Sequence, residues 1–170
     1  MDRRIKKTTA AIFEAYVQAK KAHPGIEPSV KEICGIADIN KTTFYRYFSD
    51  VEKLSYSVIN ATVNKLLIDG IKTEYLLTEP KTYFEYVLSN LKNFEEEISV
   101  FLADNPQTFI FEAERILKNK LKETAADKYD EVLCTFIAGG AAHYFLSANY
   151  NDENELDKFC RIFKAAISAV

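Results

Sequence analysis

Two short helices and the turn between them can be identified in the stretch SVKEICGIADINKTTFYRYFSD (residues 29–50). Ser29 opens an S-x-x-E pattern, the capping box that satisfies the first free N–H groups of a helix, and it predicts a helix over residues 30–38. Asn40 is a favourable N-cap residue and predicts a second helix over residues 41–48. The two predicted helices are therefore joined by only a few residues.

The segments on either side of this stretch are also predicted to be helical. Apolar residues at helical spacing predict a first helix that ends near Ala22, where the segment HPGIEP (residues 23–28) interrupts it with Pro and Gly. Ser49 opens a second S-x-x-E pattern, which predicts a connecting helix over residues 50–69. Three helices followed by a connecting helix, with the second and third closely joined, are typical of a helix-turn-helix head.

The rest of the chain shows the apolar spacing of helices, and no segment has the alternation of a strand. Five further helices are predicted, at about residues 80–91, 95–104, 107–122, 127–149 and 153–170. The predicted fold is all-α, with about nine helices in all. We predict a helix-turn-helix domain over residues 1–50, extended by the connecting helix 50–69, and a helical ligand-binding and dimerisation domain over residues 70–170.

The helix over residues 41–48 carries an unusual outward face. On a helix of 3.6 residues per turn, Phe44 and Phe48 share one face and are the expected buried anchors. The other positions carry hydroxyls, phenols and a guanidinium: Thr42, Thr43, Tyr45, Arg46 and Tyr47. Such side chains bond base edges and phosphates, so this face fits the major groove of DNA.

The stretch SVKEICGIADINKTTFYRYFSDVEKL (residues 29–54) resembles the DNA-binding signature of TetR-type transcriptional regulators. The resemblance covers residues 3–54, and beyond them it lies only in length and helical character. The contacts that it implies are base readout by Lys41, Thr42 and Thr43, phosphate binding by Tyr45 and Tyr47, and a contact with the DNA backbone by Ser29.

Two positions depart from the family pattern. The turn between the two short helices usually carries Gly, whereas this chain has Asp38, which tolerates the left-handed backbone region better than most residues. The family often has a phosphate-binding Lys where this chain has Val51, and Lys53 is the substitute that the sequence offers.

Basic residues at the start of the chain complete the candidate DNA-binding set. Four cations precede or open the first helix, where they are placed to meet the DNA backbone or the minor groove, and they equally fit a solvated helix terminus. The full set is Arg4, Lys7, Ser29, Lys31, Lys41, Thr42, Thr43, Tyr45, Arg46, Tyr47 and Lys53.

Charge and cysteine content limit the class of protein. Residues 1–53 carry ten Lys/Arg against seven Asp/Glu, and the remaining residues carry twelve against eighteen. This balance fits a head that meets a polyanion, although a chance difference of a few charges gives the same result.

Cys34, Cys134 and Cys160 are far apart in apolar surroundings, so we expect buried thiols of a reducing compartment. The sequence has no long apolar run and no recognisable leader. We therefore expect a cytoplasmic protein that does not associate with membranes.

Catalytic chemistry is not indicated by the sequence. It contains no nucleophile elbow, P-loop, dinucleotide fingerprint or metal-binding pair, so no catalytic residue, cofactor or metal is predicted. His23 lies in a Pro-Gly turn, where we expect it to be exposed, and His143 lies on an apolar helix, where a core or pocket position is expected. We do not expect an enzyme.

Aromatic residues are dense in the C-terminal domain, where TetR-like regulators commonly hold an apolar ligand pocket. Plain core packing explains the same aromatics. The candidate ligand-binding residues are Tyr83, Tyr86, Val87, Phe101, Phe109, Phe111, Phe136 and His143. Since none of these positions carries a full charge, the expected ligand is small and apolar.

A pair of glycines lies inside the helix predicted over residues 127–149. Each glycine costs about 1 kcal/mol relative to Ala in a helix, and the pair permits close approach of another backbone, as in a two-fold four-helix bundle. A local kink is the alternative. The candidate dimer residues are Gly139, Gly140, Phe159, Phe163 and Ile167.

The sequence therefore predicts a homodimeric DNA-binding regulator of a pseudo-palindromic duplex site, a repressor released by a small apolar ligand. The alternative is a helical regulator whose C-terminal domain docks a protein partner, as a coactivator or interaction protein, and has no ligand pocket.

Overall fold

The computed structural model describes residues 3–104, 106–125, 129–147 and 153–168. Across these ranges the backbone forms ten α-helices and no strand, which confirms the all-α prediction. The helices are α1 (Arg3–Ala22), α2 (Val30–Ile36), α3 (Lys41–Tyr47), α4 (Val51–Leu67), α5 (Tyr75–Thr78), α6 (Pro80–Asn93), α7 (Glu95–Asp104), α8 (Pro106–Ala125), α9 (Glu131–Ser147) and α10 (Glu153–Ser168). The helix that the sequence did not predict is α5, a four-residue turn too short to show a periodicity. The predicted helix ends at residues 127, 149 and 170 lie outside the described residues.

Side-chain caps begin the two short helices, as predicted. Ser29 has extended backbone angles, and its Oγ accepts the N–H of Glu32 at 3.2 Å at the start of α2. Asn40 is also extended, and its Oδ1 accepts the N–H of Thr43 at 2.7 Å at the start of α3. Each cap satisfies an N–H group that has no partner within the helix.

The predicted capping box at Ser49 is wrong by one residue. The carboxylate of Asp50 caps α4, because its Oδ1 accepts the N–H of Lys53 at 2.7 Å. Ser49 instead donates its hydroxyl to Asp50 Oδ2 at 2.7 Å. A charged acceptor next to a serine makes the stronger hydrogen bond to a helix N-terminus, which explains the shift in register.

The turn between α2 and α3 is left-handed. Asp38 has φ of +51°, and it is the one non-glycine residue with positive φ among the described ranges. The N–H of Ile39 donates to Cys34 O at 3.0 Å and so closes the end of α2. The prediction that Asp38 can take the place of a glycine in this turn is confirmed.

Contacts within the chain divide it into two compact units. The first comprises Met1–Ala61 and Glu96–Pro106, and the second comprises Thr62–Glu95 and Gln107–Val170. Most of α7 thus groups with the first unit, although it falls within residues 70–170. The domain limits predicted from the sequence stay a prediction.

The first unit is built around the inner face of α1. Its most deeply buried large side chains come from four helices and are at most 1% exposed: Ile12, Tyr16, Ile33, Phe44 and Leu54. The ring centroid of Phe48, which is half-buried, lies 6.1 Å from that of Phe44 and 6.0 Å from that of Phe13. The two predicted anchors of α3 therefore both pack inward.

Aromatic rings fill the centre of the second unit. The ring centroid of Phe84 on α6 lies 4.7 Å from that of Phe145 on α9. It lies 5.0 Å from Phe159 and 5.1 Å from Phe163, both on α10. Edge-to-face and stacked pairs at these distances add to the stability that burial provides.

Polar side chains of α6 satisfy the last carbonyl groups of α4. The buried hydroxyl of Tyr83 donates to Leu67 O at 2.6 Å. Asn90 Nδ2 lies 3.1 Å from Lys65 O and 3.2 Å from Leu66 O. The end of α4 is thus fixed by bonds that helix ends otherwise make with water.

We expect Asp38→Val to lower the free energy of unfolding by about 1–2 kcal/mol, because a β-branched residue is strained at positive φ. Asp38→Gly serves as the control, since glycine adopts this conformation without strain. Urea denaturation measures both variants. Equal losses of stability would contradict a left-handed turn at this position.

Candidate nucleic-acid interface

Helix α3 exposes the face that the sequence predicts to meet DNA. Phe44 is fully buried, which fixes the rotation of the helix. The candidate residues on α3 are exposed or half-buried: Lys41, Thr42, Tyr45 and Arg46 are exposed, and Thr43 and Tyr47 are half-buried. Tyr45 is 55% exposed, and its ring meets the ring of Phe44 edge-on with centroids 5.5 Å apart.

The remaining candidates lie on or beside three other helices of the same unit. Ser29 and Lys31 are exposed at the start of α2, Lys53 is exposed on α4, and Arg4 and Lys7 are exposed in the first turns of α1. All eleven candidate residues thus belong to the first unit, and none of them is buried. Their contacts with DNA stay predictions.

Ser29 can serve the helix and a phosphate together. Its Oγ accepts the N–H of Glu32, and this bond leaves the hydroxyl hydrogen free to donate elsewhere. A phosphate oxygen of DNA is a suitable acceptor for this hydrogen. Contacts of this kind with the DNA backbone fix the register of a protein on the duplex.

Sequence reasoning missed an acidic group beside these residues. Asp50 is exposed, and the N–H of Lys53 together with the hydroxyl of Ser49 lowers the pKa of its carboxyl group. The carboxylate is therefore charged at neutral pH, directly before Val51. The start of α4 therefore carries a negative charge next to the position where the family pattern has a cation. The sequence could have indicated this charge, because Asp is a favourable residue at the start of a helix.

The eight candidate ligand-binding residues do not line one cavity. Phe101 belongs to the first unit, where its ring stacks on Tyr16 with centroids 6.5 Å apart. Phe111 is 65% exposed, Phe136 is 75% exposed and His143 is exposed. These residues were chosen for their side-chain type and helical spacing. Neither property shows which of them are covered by other helices.

The other four candidates pack in the second unit. Tyr83, Val87 and Phe109 are at most 2% exposed. Tyr86 is half-buried, and its hydroxyl donates to Asp69 O. Tyr83, Val87 and Phe109 are therefore part of a packed interior, whereas Tyr86 lies at its edge.

A small cavity lies in the described part of the second unit. Its volume is about 20 Å³, and its lining is apolar, including Leu66, Val87, Phe109, Ala113 and Phe145. A cavity of this size holds about one water molecule. The buried aromatics among the candidates, Tyr83, Phe101 and Phe109, therefore act as core in this conformation.

Four of the five candidate dimer residues are occupied within the protomer. Phe163 and Ile167 are at most 6% exposed, and Phe159 is half-buried in the aromatic cluster around Phe84. A Cβ added at Gly139 would lie 3.6 Å from Cδ of Glu114 on α8. A side chain at this position would therefore be in ordinary van der Waals contact with Glu114 of the same chain.

Gly140 is different, because it is exposed and an added Cβ would meet nothing within 4 Å. Two large apolar residues precede it at four-residue spacing on α9: Val132 is 77% exposed and Phe136 is 75% exposed. On α10, Ile162 is 62% exposed. Sequence reasoning missed Val132 and Ile162 because it followed the main apolar stripe of each helix, which is covered within the chain.

The three cysteines are buried free thiols, as predicted, and burial raises the pKa of each. His23 is exposed with Nε2 4.0 Å from Glu32 Oε1. His143 is also exposed, so a core position is wrong, and a pocket position stays a prediction. Within the described ranges, no three His, Cys, Asp or Glu side chains form a metal-binding group.

None of the described helices combines the length and the apolar character that a membrane span requires.

Solved structures identify the fold. No protein-family model matches the sequence, and no curated protein sequence is significantly similar to it. The structure of the dihydroxyacetone kinase operon activator DhaS superposes with a TM-score of 0.66 at 17% identity, over 95% of this chain and 97% of that one. A TetR transcriptional regulator from Streptococcus agalactiae superposes with a TM-score of 0.58 at 20% identity, over 98% and 96% of the two chains. A TetR-family regulator from Streptomyces coelicolor gives 0.59 at 15% identity, over 96% and 99%. The chain has the all-α fold of TetR-family transcriptional regulators.

The packed interior predicts a large stability loss for Phe109→Ala, about 3–5 kcal/mol, because truncation leaves an apolar cavity. Phe111→Ala is a matched control on the same helix. Since Phe111 is 65% exposed, its truncation should change the free energy of unfolding by less than about 0.5 kcal/mol. Guanidinium denaturation of both variants measures the difference. A small loss for Phe109→Ala would indicate that the side chain lines a ligand space.

Proposed function

We propose that this chain is a sequence-specific, DNA-binding transcriptional regulator. The observation that carries the proposal is the rotation of α3: Phe44 is buried, and the hydroxyls, phenols and cations of the helix are at the surface. Lys41, Thr42, Thr43 and Arg46 read base edges in the major groove. The phenols of Tyr45 and Tyr47 bind phosphates on either side, with Ser29, Lys31, Lys53 and the basic start of α1 adding phosphate contacts.

The regulator acts as a homodimer on a pseudo-palindromic site. The exposed residues Val132, Phe136 and Gly140 form a stripe along α9, and Ile162 is exposed on α10. Large exposed apolar residues of this kind are typical of a protein interface. Two-fold symmetry presents the same α3 to two half-sites, roughly 34–36 Å apart or a little more.

The interior of the second unit favours a protein partner as the regulatory signal. The sequence predicts a repressor released by a small apolar ligand, whereas small-molecule sites are typically about 300–1,000 Å³ in volume. The cavity in the described part of this unit has a volume of about 20 Å³. The second reading, in which the C-terminal helices dock a partner protein, requires no such space.

Base and phosphate contacts respond differently to mutation. We expect Thr43→Ala to weaken binding to the preferred site and to relax its sequence preference. Tyr45→Phe removes only a phosphate ligand, so it should weaken all duplexes alike. The preferred site is first selected from a randomised duplex library, and fluorescence anisotropy then gives Kd for this site and for a random duplex. Equal losses on both duplexes for Thr43→Ala would exclude base readout by this residue.

Salt dependence tests the phosphate contacts as a group. The logarithm of the binding constant should fall linearly with the logarithm of salt concentration, with a slope near −0.9 for each phosphate neutralised. Tyr45→Phe should leave this slope almost unchanged, since tyrosine carries no charge. Lys31→Gln should reduce its magnitude by about 0.9 per head. A wild-type slope near zero would contradict the proposed function.

Gly140→Leu tests the dimer. The protomer has space for this side chain, and leucine favours a helix by about 1 kcal/mol over glycine, so the variant should remain folded. A leucine at this position separates two packed copies of α9, so sedimentation velocity should show a monomer and DNA affinity should fall. Gly140→Ala, which adds a single methyl group, is the control and should remain dimeric. A wild-type chain that sediments as a monomer at micromolar concentration would contradict the proposal.

A further inference from the structure

A lysine ammonium group is buried inside the first unit. Lys20, near the end of α1, is 5% exposed. Its Nζ pairs with Asp104 at the end of α7 and with Glu27 at 3.2 Å, and it lies 3.4 Å from Ile26 O. Three acceptors match the three donors of an ammonium group. Burial alone would lower the pKa of Lys20, but its bonds to Asp104 and Glu27 raise it, so the group is charged at neutral pH.

Asp104 also holds the backbone of the α1–α2 turn. One carboxylate oxygen pairs with Lys20, and the other accepts the N–H of Gly25 at 2.9 Å. Gly25 has φ of +80°, a conformation that other residues adopt only with strain. Four residues later the chain reaches Ser29, the N-cap of α2.

An aromatic contact fixes α7 against α1 at a second point. The ring of Tyr16 stacks on that of Phe101 with centroids 6.5 Å apart and planes 14° apart. The Tyr16 hydroxyl lies 3.1 Å from Glu27 Oε1 and 2.8 Å from Ser55 Oγ on α4. The carboxylate of Glu27 is therefore held by both Tyr16 and Lys20.

We propose that Asp104 is a positioning residue for DNA binding: its carboxylate bridges Lys20 and the Gly25 N–H, and thereby sets the direction in which α2 leaves α1. This inference rests on the proposed function, because α2 carries Lys31 and leads into α3. The residue that fixes the α1–α2 turn thus belongs to a helix outside the sequence-defined head.

Loss of Asp104 removes one acceptor from the buried ammonium group of Lys20 and the side-chain acceptor of the exposed Gly25 N–H. Removing one partner of a buried ion pair is disruptive, because the remaining charge is uncompensated. Here Glu27 still pairs with Lys20, so we expect the turn to shift and the unit to remain folded. Asp104→Asn retains an oxygen for the Gly25 N–H and loses the charge, so its effect should be smaller than that of Asp104→Ala.

Glu96→Gln is the matched control on the same helix. Glu96 Oε2 lies 3.2 Å from Lys21 Nζ, but its side chain is 91% exposed. Exposed ion pairs contribute little, so this variant should behave as wild type.

Amide hydrogen exchange on the full chain measures the turn directly. Asp104→Ala should speed exchange at Gly25 and in the segment that leads to α2, while Glu96→Gln leaves these rates unchanged. Equal protection of the turn in Asp104→Ala and in wild type would overturn the proposal.

DNA binding measures the consequence. Asp104→Ala should reduce the magnitude of the salt slope by about 0.9 per head, as Lys31→Gln does, because both lose the charged phosphate contact that Lys31 makes from α2. The double variant should lose no more than either single variant, since the two changes remove one contact. Simple destabilisation would lower the folded fraction without this change in slope. An unchanged slope for Asp104→Ala, or additive losses in the double variant, would overturn the positioning role.

The hydrogen-exchange and DNA-binding experiments together separate this inference from the proposed function. A wild-type chain that selects no duplex from the library contradicts the proposed function, and the DNA-positioning role is overturned with it. The exchange arm then still decides whether Asp104 holds the α1–α2 turn.

Discussion

The burial of Phe44 on a seven-residue helix is the constraint on which the proposed DNA-binding surface depends. A helix as short as α3 is not stable alone in water. Its N-terminal cap contributes about 1 kcal/mol, and the burial of a phenylalanine contributes about 1.5–3 kcal/mol. Only one rotation of the helix about its axis buries Phe44. The contact that stabilises α3 therefore also determines that its threonines and Arg46 lie on the face proposed to meet DNA. Asp38 completes the arrangement, since its left-handed turn directs the chain from α2 into α3.

Lys20 is the second constraint of the first unit, and it acts through specificity more than through net stability. The penalty for burying an ion is several kcal/mol, so its two carboxylate partners serve largely to offset this cost. An apolar residue of similar size avoids the cost, but it would not specify where α7 lies. Three directed bonds from one ammonium group do specify it, because they are all made only when Glu27, Ile26 and Asp104 are in place together.

Local interactions explain why much of this fold could be predicted from the sequence. The caps at Ser29 and Asn40 use neighbouring atoms of the chain, and helical spacing alone marks the inward face of α3. The exact cap of α4 was missed because Ser49 and Asp50 are both good cap residues, and only the folded geometry selects the acid.

Long-range contacts explain what could not be predicted. Helical spacing predicts that Phe163 and Ile167 are buried. It does not show whether helices of the same chain or of a second copy bury them. The burial of Lys20 was also not predictable, because it depends on Asp104, a residue far away in the sequence. A lysine near the end of a helix otherwise looks like an ordinary exposed residue with a favourable position in the helix dipole.

The packing of the second unit limits how a signal can change DNA affinity. Any signal must bind two arrangements of the protein with different affinity. A ligand of ordinary size must first displace side chains such as Phe109 from a closely packed interior, and that cost is subtracted from its binding free energy. A protein partner can use side chains that are already exposed, such as Phe111, without opening the interior. A partner that binds at the surface does not have to offset this cost, and this is the physical argument for the partner protein proposed above.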